Sequence, residues 1–291
     1  MKYINDFLEY LTVIKKHSDN TINSYKIDLI EFYEINNNLL NVSEDDVFRY
    51  LKYLYDRDLN RNSISRKLSS IRTFYNYLVN NDLVKINYFS DVSNPKKNKN
   101  LPHYLKDDEI NKLFSIPDTS TALGQRNLLI IEMLYATGVR VSELVNIKLK
   151  DIDIYNDSIK IRGKGNKERI VFFGSFCKSA LEIYLDEGRK ELDKKGSIYL
   201  FLNKFGNKLS DRMIRNILDD LILKAGVEKH VHPHMIRHTF ATDMLNSGAD
   251  LMTVKELLGH ESINTTSIYT HVSNEQIRRV YENCHPRAKE R

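Results

Sequence analysis

The sequence lacks tryptophan, has two cysteines and five prolines, and contains no long uninterrupted run of apolar residues. A helix that crosses a membrane needs about 20 apolar residues, and the longest apolar stretch, 128–135, already contains Glu132. Acidic residues among the first ten exclude a secretory signal. Two cysteines without a CxxC pattern exclude a disulfide framework and favour a reducing compartment. We therefore expect a cytoplasmic protein without a membrane segment.

Glycine and proline are distributed unevenly along the chain. None of the 11 glycines and only one of the five prolines, Pro95, lies in residues 1–100. Because glycine and proline mark turns and hairpins, the first third should consist of helices joined by polar turns, and the rest should be built differently. A length of 291 residues fits about two domains. We predict an N-terminal domain over 1–92, a basic linker over 93–102 and a larger domain over 103–291.

The charge balance of the chain is mildly basic. Lysine and arginine number 44 against 39 acidic residues, a formal net charge of +5, which permits a polyanionic partner without requiring one. Charge is polarised within the first domain, because residues 1–46 are net acidic and residues 47–100 are net basic. The predicted linker, SNPKKNKNLP, contains three lysines and is typical of an extended segment that can follow a phosphate backbone.

Apolar residues recur at helical spacing in four segments of the first domain, which predicts a four-helix unit. Ser18 and Ser43 are suitable N-caps for the second and third helices. The fourth helix, predicted over 63–79, has a polar face that mixes arginine with small hydroxyl residues, as surfaces that contact a phosphate backbone do. An ordinary solvated helix face is the alternative. The residues on this face are Arg66, Ser69, Ser70 and Thr73, extended by Arg72.

The spacing of apolar residues changes in the second domain. Residues 158–162 alternate as a strand does, residues 168–173 are rich in β-formers, and GKGN at 163–166 predicts a hairpin turn between them. The other segments have helical spacing and end at glycines suited to a left-handed C-terminal position. The predicted helices are one ending near Ser115, 122–135, one from Ser142, 175–193, 210–226 and several from His232 onward. The fold class is therefore mainly α, with a small antiparallel β-sheet.

Four spaced segments carry residues suited to chemistry on a phosphodiester. They are ATGVRVSEL at 136–144, RGKGNKER at 162–169, HPHMIRHTF at 232–240 and LLGHESINTTSIYTHV at 257–272. With these motifs in this order, the whole chain resembles the tyrosine recombinase (phage integrase) family. It is most similar to the bacterial Xer subgroup, which the HPRA ending at 285–288 also resembles.

The resemblance implies six catalytic residues. They are Arg140, Lys164, His234, Arg237, His260 and Tyr269. Their chemistry fits the roles, because two arginines can bind the non-bridging oxygens of a phosphate and a histidine can accept the proton of an attacking tyrosine. A lysine on the hairpin can protonate the leaving 5′-oxygen. The expected product is a 3′-phosphotyrosyl enzyme, which keeps the bond energy, so no ATP is required.

Charged neighbours of these residues have expected roles of their own. Arg140 and Glu143 are three residues apart, so Glu143 is expected to orient the arginine; a plain helix salt bridge is the alternative. Lys167 and Arg169 follow the hairpin turn and are expected to bind DNA through backbone phosphates, with a solvated cationic hairpin as the alternative.

Two histidines near the start of the predicted C-terminal helices have the spacing of metal ligands. His234 and His238 have the i, i+4 spacing of helical zinc ligands, but Arg237 lies on the same face and would repel a cation. No further ligand has suitable spacing, and the chain has no GxxxxGK[ST] or GxGxxG motif. We therefore expect no metal and no nucleotide cofactor.

The resemblance also implies an architecture and a set of partners. The two domains would close as a C-shaped clamp around duplex DNA, and strand exchange would proceed in a homo- or hetero-tetramer with a paralogous recombinase. The Xer subgroup implies resolution of chromosome dimers at a dif-like site, with a DNA translocase at the septum as regulator. The alternatives are an integrase of a mobile element and a DNA-binding factor that does not cut.

The segment after Tyr269 is amphipathic. Ile277, Val280 and Tyr281 form one stripe of a predicted helix over 274–283. Three turns of helix are marginal alone, so this apolar face should be buried. The resemblance implies docking on a neighbouring protomer, and packing within the same chain is the alternative.

Overall fold

The computed structural model describes residues 1–95, 104–163, 167–227, 231–259 and 274–289. The chain divides into two compact units, Met1–Asn100 and Leu101–Arg291, and each has a hydrophobic core of its own. None of the helices within the described ranges is long and apolar enough to cross a membrane. The exact bounds of the linker stay a prediction.

Four helices form the described part of the first unit. They are α1 (Lys2–Val13), α2 (Asp19–Asn36), α3 (Glu44–Asp56) and α4 (Arg61–Asn80). Both N-caps predicted from the sequence are confirmed: the Ser18 hydroxyl accepts a hydrogen bond from Thr21 N–H, and Ser43 forms a reciprocal capping box with Asp46. Helix α4 begins two residues earlier than predicted, because Asn60 caps it.

The core of the first unit is largely aromatic. Phe7 on α1, Phe32 on α2 and Phe74 on α4 are fully buried. Phe32 makes edge-to-face contacts with Tyr50 and Tyr75, whose ring centroids lie 5.0 and 6.0 Å away. These contacts join α2, α3 and α4, which the helical spacing alone did not specify.

A charged group is also buried in the first unit. The carboxylate of Asp28 on α2 is completely buried and is bound by side chains of α4. Ser70, predicted on the polar face of α4, is buried as well and donates a hydrogen bond of 2.8 Å to Asp28. The predicted position of Ser70 was therefore wrong, because a buried hydrogen-bonding partner on α2 draws it inward.

The second unit holds the remaining described helices and strands. Its helices are α5 (Asp107–Ser115), α6 (Ala122–Thr137), α7 (Val141–Leu144), α8 (Ser175–Ile183), α9 (Arg189–Leu192), α10 (Asp211–Ala225), α11 (Pro233–Asn246), α12 (Leu251–Leu258) and α13 (Asn274–Cys284). Its strands are β1 (Ile152–Asp153), β2 (Ser158–Arg162) and β3 (Glu168–Phe172). The predicted fold class, mainly α with a small antiparallel sheet, is confirmed.

The sheet has the order β1-β2-β3 and is antiparallel throughout. Strands β2 and β3 pair with Ser158 opposite Phe172, so both predicted strands are confirmed. Strand β1 was not predicted, because two residues are too few to show an alternating pattern.

Helix α6 runs through the middle of the second unit, with buried side chains on all sides. One of these, Gln125, also shapes a neighbouring helix: its side-chain carbonyl accepts a hydrogen bond of 2.9 Å from Gly188 N–H. At this contact the predicted helix over 175–193 is interrupted by a π-helical turn, Tyr184–Gly188.

Helix α13 packs against its own unit. Ile277 and Tyr281 are buried in a cluster with residues of β3, α11 and α12. The residues after α13 hold it there, because His285 is buried and stacks on Tyr281, and Arg287 forms an ion pair with buried Glu132 of α6. The apolar face is thus buried within the chain, as in the alternative stated above, and its burial does not need the neighbouring protomer that was expected.

Candidate active site

Arg140 lies in the turn between α6 and α7. Helix α6 ends at Gly138, where φ is a left-handed 59° and an added Cβ would come within 2.6 Å of the Phe240 ring, so glycine is required. Arg140 then caps α7: its backbone N–H donates to Glu143 Oε2 at 2.9 Å, and its Nη1 donates to Oε1 at 3.0 Å. Glu143 is buried, whereas the Arg140 side chain is 37% exposed. The guanidinium is therefore fixed on one side and accessible on the other.

Arg237 lies on α11 and is buried. Its Nη1 donates to Gly138 O at 2.5 Å and its Nη2 donates to Leu258 O at 2.6 Å. Both acceptors are neutral carbonyls, so they fix the guanidinium without cancelling its charge. Burial, and then the charge of Arg140, lower the pKa of Arg237 to about 10, which still leaves it cationic at neutral pH.

Three arginines converge on the end of α12. The acceptors are the carbonyl oxygens of Leu257, Leu258 and Gly259, and the donors are, in that order, Arg169 Nε at 3.0 Å, Arg237 Nη2 at 2.6 Å and Arg140 Nη2 at 3.5 Å. Carbonyls in the last turn of a helix lack partners within the helix and carry partial negative charge, so cations are stabilised there. The contacts bring two predicted catalytic arginines to the residues directly before position 260.

His234 lies near the start of α11, three residues before Arg237, and its side chain is exposed. The protein still removes part of the ring from solvent, and this desolvation, together with the charges of His232, Arg237 and Arg140, lowers the pKa of His234 from its ordinary value of 6.5. The neutral imidazole therefore dominates at pH 7, which suits a group that accepts a proton. Within the described ranges, no group of three or more His, Cys, Asp and Glu side chains is placed to hold a metal ion.

Three of the six predicted catalytic residues lie outside the described residues: Lys164, His260 and Tyr269. The glycines directly before two of them lie at the arginine site. A Cβ added to Gly163 would be 3.5 Å from Glu143 Oε1, and one added to Gly259 would be 3.1 Å from the Arg169 side chain. Chain connectivity therefore starts both segments beside the arginines, and the roles of the three residues stay predictions.

The four residues predicted to bind DNA have different surroundings. Lys167 directly precedes β3 and is exposed. Arg66 has a half-exposed side chain that forms an ion pair with buried Asp28. Arg72 donates to two backbone carbonyls of the segment after α4, at 3.0 and 2.7 Å. Arg169 is mostly buried. Lys167 is thus accessible, Arg66 is accessible although it also pairs with Asp28, and Arg72 and Arg169 are bound within the protein.

Sequence reasoning missed the partner of Arg169. Both of its Nη atoms donate to Glu143, at 3.0 and 2.8 Å. The two residues are 26 positions apart, and no helical or strand spacing connects them. Only the tertiary fold brings Arg169 of β3 to Glu143 of α7, so the sequence offers no signal for this contact.

Known protein families match the sequence over both units. The Phage integrase family matches residues 103–276, and the Phage integrase, N-terminal SAM-like domain matches residues 4–82. Tyrosine recombinase XerC of Bacillus pumilus is 45% identical over an alignment of 299 residues in length, and the alignment covers 100% of this chain and 98% of that protein.

Solved recombinase structures are also similar. The crystal structure of XerH site-specific recombinase bound to palindromic difH substrate, a post-cleavage complex, matches with a TM-score of 0.71 at 25% identity, over 91% of this chain and 76% of that chain. The crystal structure of XerA recombinase matches with a TM-score of 0.52 at 32% identity, over 99% of this chain and 100% of that chain. Both similarities extend over nearly the whole sequence.

Proposed function

We propose how the site works from the premise that this chain belongs to the phage integrase family. The chain is a site-specific tyrosine recombinase of the Xer type, an enzyme that cuts and rejoins duplex DNA. What we add is the assignment of its catalytic groups. They are Arg140, Lys164, His234, Arg237, His260 and Tyr269.

In the proposed mechanism, Arg140 and Arg237 bind the scissile phosphate. Both guanidinium groups are held by hydrogen bonds within the protein, so they are positioned to stabilise the negative charge that develops on the non-bridging oxygens. The two arginine side chains therefore need little rearrangement when DNA binds. The observation that carries the proposal is the convergence of these arginines on the end of α12, directly before the segment that contains His260 and Tyr269.

The remaining groups move protons and form the covalent bond. The Tyr269 oxygen bonds to phosphorus while the bond from phosphorus to the 5′-oxygen breaks. His234, neutral at pH 7, accepts the phenol proton, and Lys164 donates a proton to the leaving oxygen. His260 donates a hydrogen bond to a phosphate oxygen. Attack by a 5′-hydroxyl on the 3′-phosphotyrosyl bond reverses these steps and rejoins the strands without ATP.

The cellular duty proposed here is resolution of chromosome dimers, and thus a part in chromosome partition and cell division. Similarity to XerC, and to XerH bound to a difH substrate, supports a dif-like target. Exchange between two duplexes requires four cuts, which supports a homo-tetramer or a hetero-tetramer with a paralogous recombinase. We place this assembly in the cytoplasm, with a DNA translocase at the septum as regulator. A target at the edge of a mobile element would instead indicate an integrase.

A suicide substrate tests the assignment of Tyr269. Its nick lets a short fragment diffuse away after cleavage, which traps the covalent adduct for a denaturing gel. Tyr269→Phe should bind this DNA with unchanged affinity and form no adduct. Tyr155→Phe, at a tyrosine that is 97% exposed, is the matched control and should react as the wild type does.

Two results would contradict the proposal. An adduct formed by Tyr269→Phe would show that another residue is the nucleophile. A wild-type chain that binds its target and forms no adduct would indicate a DNA-binding factor that does not cut.

A further inference from the structure

Arg169 on β3 is held by hydrogen bonds within the protein. Its Nη1 and Nη2 donate to the two oxygens of Glu143 at 3.0 and 2.8 Å, and its Nε donates to Leu257 O at 3.0 Å. Only 15% of its side chain is exposed. A phosphate contact would compete with a bidentate ion pair, which is among the strongest hydrogen-bonded arrangements of arginine. These contacts favour a role inside the protein.

Glu143 is shared between Arg169 and Arg140. Its Oε1 accepts hydrogen bonds from Nη1 of each arginine, both at 3.0 Å, and its Oε2 accepts from Arg169 Nη2 and Arg140 N–H. Burial opposes ionisation of this carboxyl, but the hydrogen bonds and charges of the two arginines outweigh it and lower the pKa of Glu143. The carboxylate that fixes Arg140 is therefore itself fixed by Arg169.

Arg169 also packs against two glycines that flank predicted catalytic residues. A Cβ added to Gly259 would lie 3.1 Å from Arg169 Cδ, Nε and Cζ, and one added to Gly163 would lie 3.8 Å from Arg169 Nη1. The residue that follows β2, the helical turn that contains Glu143 and the end of α12 thus meet at one guanidinium group.

We propose that Arg169 is a positioning residue for DNA cleavage: it fixes Glu143 and the last turn of α12, and through them sets Arg140 for the scissile phosphate. This inference rests on the proposed function, since it takes Arg140 as a phosphate ligand. Arg169 does not itself touch DNA in this role. Its loss therefore changes the rate of cleavage once DNA is bound, and does not change the strength of binding.

Arg169→Lys is the main test, because it keeps the positive charge and loses the geometry. A lysine has one nitrogen and cannot bind both Glu143 oxygens and Leu257 O together. Adduct formation at saturating suicide substrate should slow about 10- to 100-fold, as expected for a small misplacement of a catalytic group. The Kd and its salt dependence should match the wild type. Arg278→Ala removes a more exposed arginine that pairs with Glu282, and should leave rate and affinity unchanged.

Arg169→Ala gives a second readout that separates positioning from phosphate binding. If Arg169 contacts a backbone phosphate, this variant binds more weakly, its slope of log K against log salt falls by about 0.9, and its rate at saturation is unchanged. That result would overturn the proposal, as would a wild-type rate in Arg169→Lys. Thermal melting of each variant is measured alongside. If Arg169→Ala does not fold, the result with Arg169→Lys tests the proposal.

The same experiment keeps the two proposals apart. A wild-type chain that forms no adduct would refute the proposed function and the positioning role together. A wild-type chain that cleaves beside a fully active Arg169→Lys would refute the positioning role alone.

Discussion

A buried carboxylate bound by cationic side chains occurs in both units, Asp28 in the first and Glu143 in the second. Around Asp28 the buried charges are balanced. Lys67, which is also buried, lies 3.4 Å from Asp28 and 2.9 Å from Glu31, and Arg66 reaches Asp28 from a half-exposed position. This network joins α2 to α4 and leaves no excess of buried charge among these groups.

Around Glu143 the buried charges are not balanced. One carboxylate binds Arg140 and Arg169, and Arg237 is buried close by with carbonyl partners. The excess positive charge is reflected in the pKa of Arg237, which burial and then Arg140 lower to about 10. An anion among these arginines would relieve their repulsion. The two units therefore differ in the balance of buried charge, and the excess positive charge lies in the unit to which we assign the catalytic groups.

The largest expected effect is on the rate of DNA cleavage, and it should differ between variants of the two carboxylates. Glu143→Gln should slow adduct formation at saturating DNA by about 100-fold, because two arginines lose the carboxylate that orients them. Asp28→Asn should leave that rate near the wild-type value. Glu143→Gln leaves the mostly buried Arg169 without a carboxylate partner, so it should lower the free energy of unfolding by about 3–5 kcal/mol. Asp28→Asn should lower it less, because Lys67 keeps its ion pair with Glu31. Suicide-substrate rates and denaturant unfolding of the two variants provide the measurement.

The two variants control for each other. An equal fall in cleavage rate would show that the rate follows stability and not the charge at the arginine site, and the contrast between the units would be lost.

A smaller effect concerns the pH dependence of stability. His285 of the second unit is buried, whereas the described residues of the first unit include no buried histidine. Its Nε2–H donates to Tyr135 O and its Nδ1 accepts from Arg287 N–H, each at 3.2 Å, so the neutral ring is fully bonded. Burial lowers the pKa of His285 to about 3. In the unfolded chain the pKa of a histidine is about 6.5. The contribution of His285 to the free energy of unfolding is therefore complete above about pH 6.5 and is lost as the pH falls towards 3.

The expected loss of stability from His285 is about 2 kcal/mol between pH 7 and pH 5. Denaturant unfolding of the wild type and of His285→Gln at several pH values checks it. The difference between the two should shrink by that amount on acidification. Parallel pH profiles would contradict the assignment.

The smallest expected effect is on the salt dependence of DNA binding, and it should distinguish the two arginines of α4, Arg66 and Arg72. Arg66→Ala should lower the slope of log K against log salt by about 0.9, the value for one phosphate contact. Arg72 donates to two backbone carbonyls, so Arg72→Ala should lower the melting temperature and leave the slope unchanged. The measurement is the affinity of each variant for the same DNA duplex over a range of salt concentrations. A reduced slope in Arg72→Ala would support the DNA contact first predicted for it, and unchanged slopes in both would place this face in solvent.

The sequence by itself determined the local elements of this protein. Hydroxyl caps such as Ser18 and Ser43, glycine ends such as Gly138, and the alternation in β2 act over a few residues, so their physical effects are readable in order along the chain. The resemblance to the motifs of the tyrosine recombinase family likewise singled out Arg140 and Arg237, which are residue types suited to a phosphate.

Only the tertiary structure decided which partners the charged side chains have. Ser70 and Arg72 were expected on an outward face and turn inward, because acceptors on other segments lie within reach. Arg169 was expected on DNA and binds Glu143, and α13 finds its apolar partners within the same unit. Each of these contacts joins distant positions, and its geometry depends on how whole helices and strands pack. Local spacing cannot specify that packing, because it is the sum of many weak contacts distributed over the core.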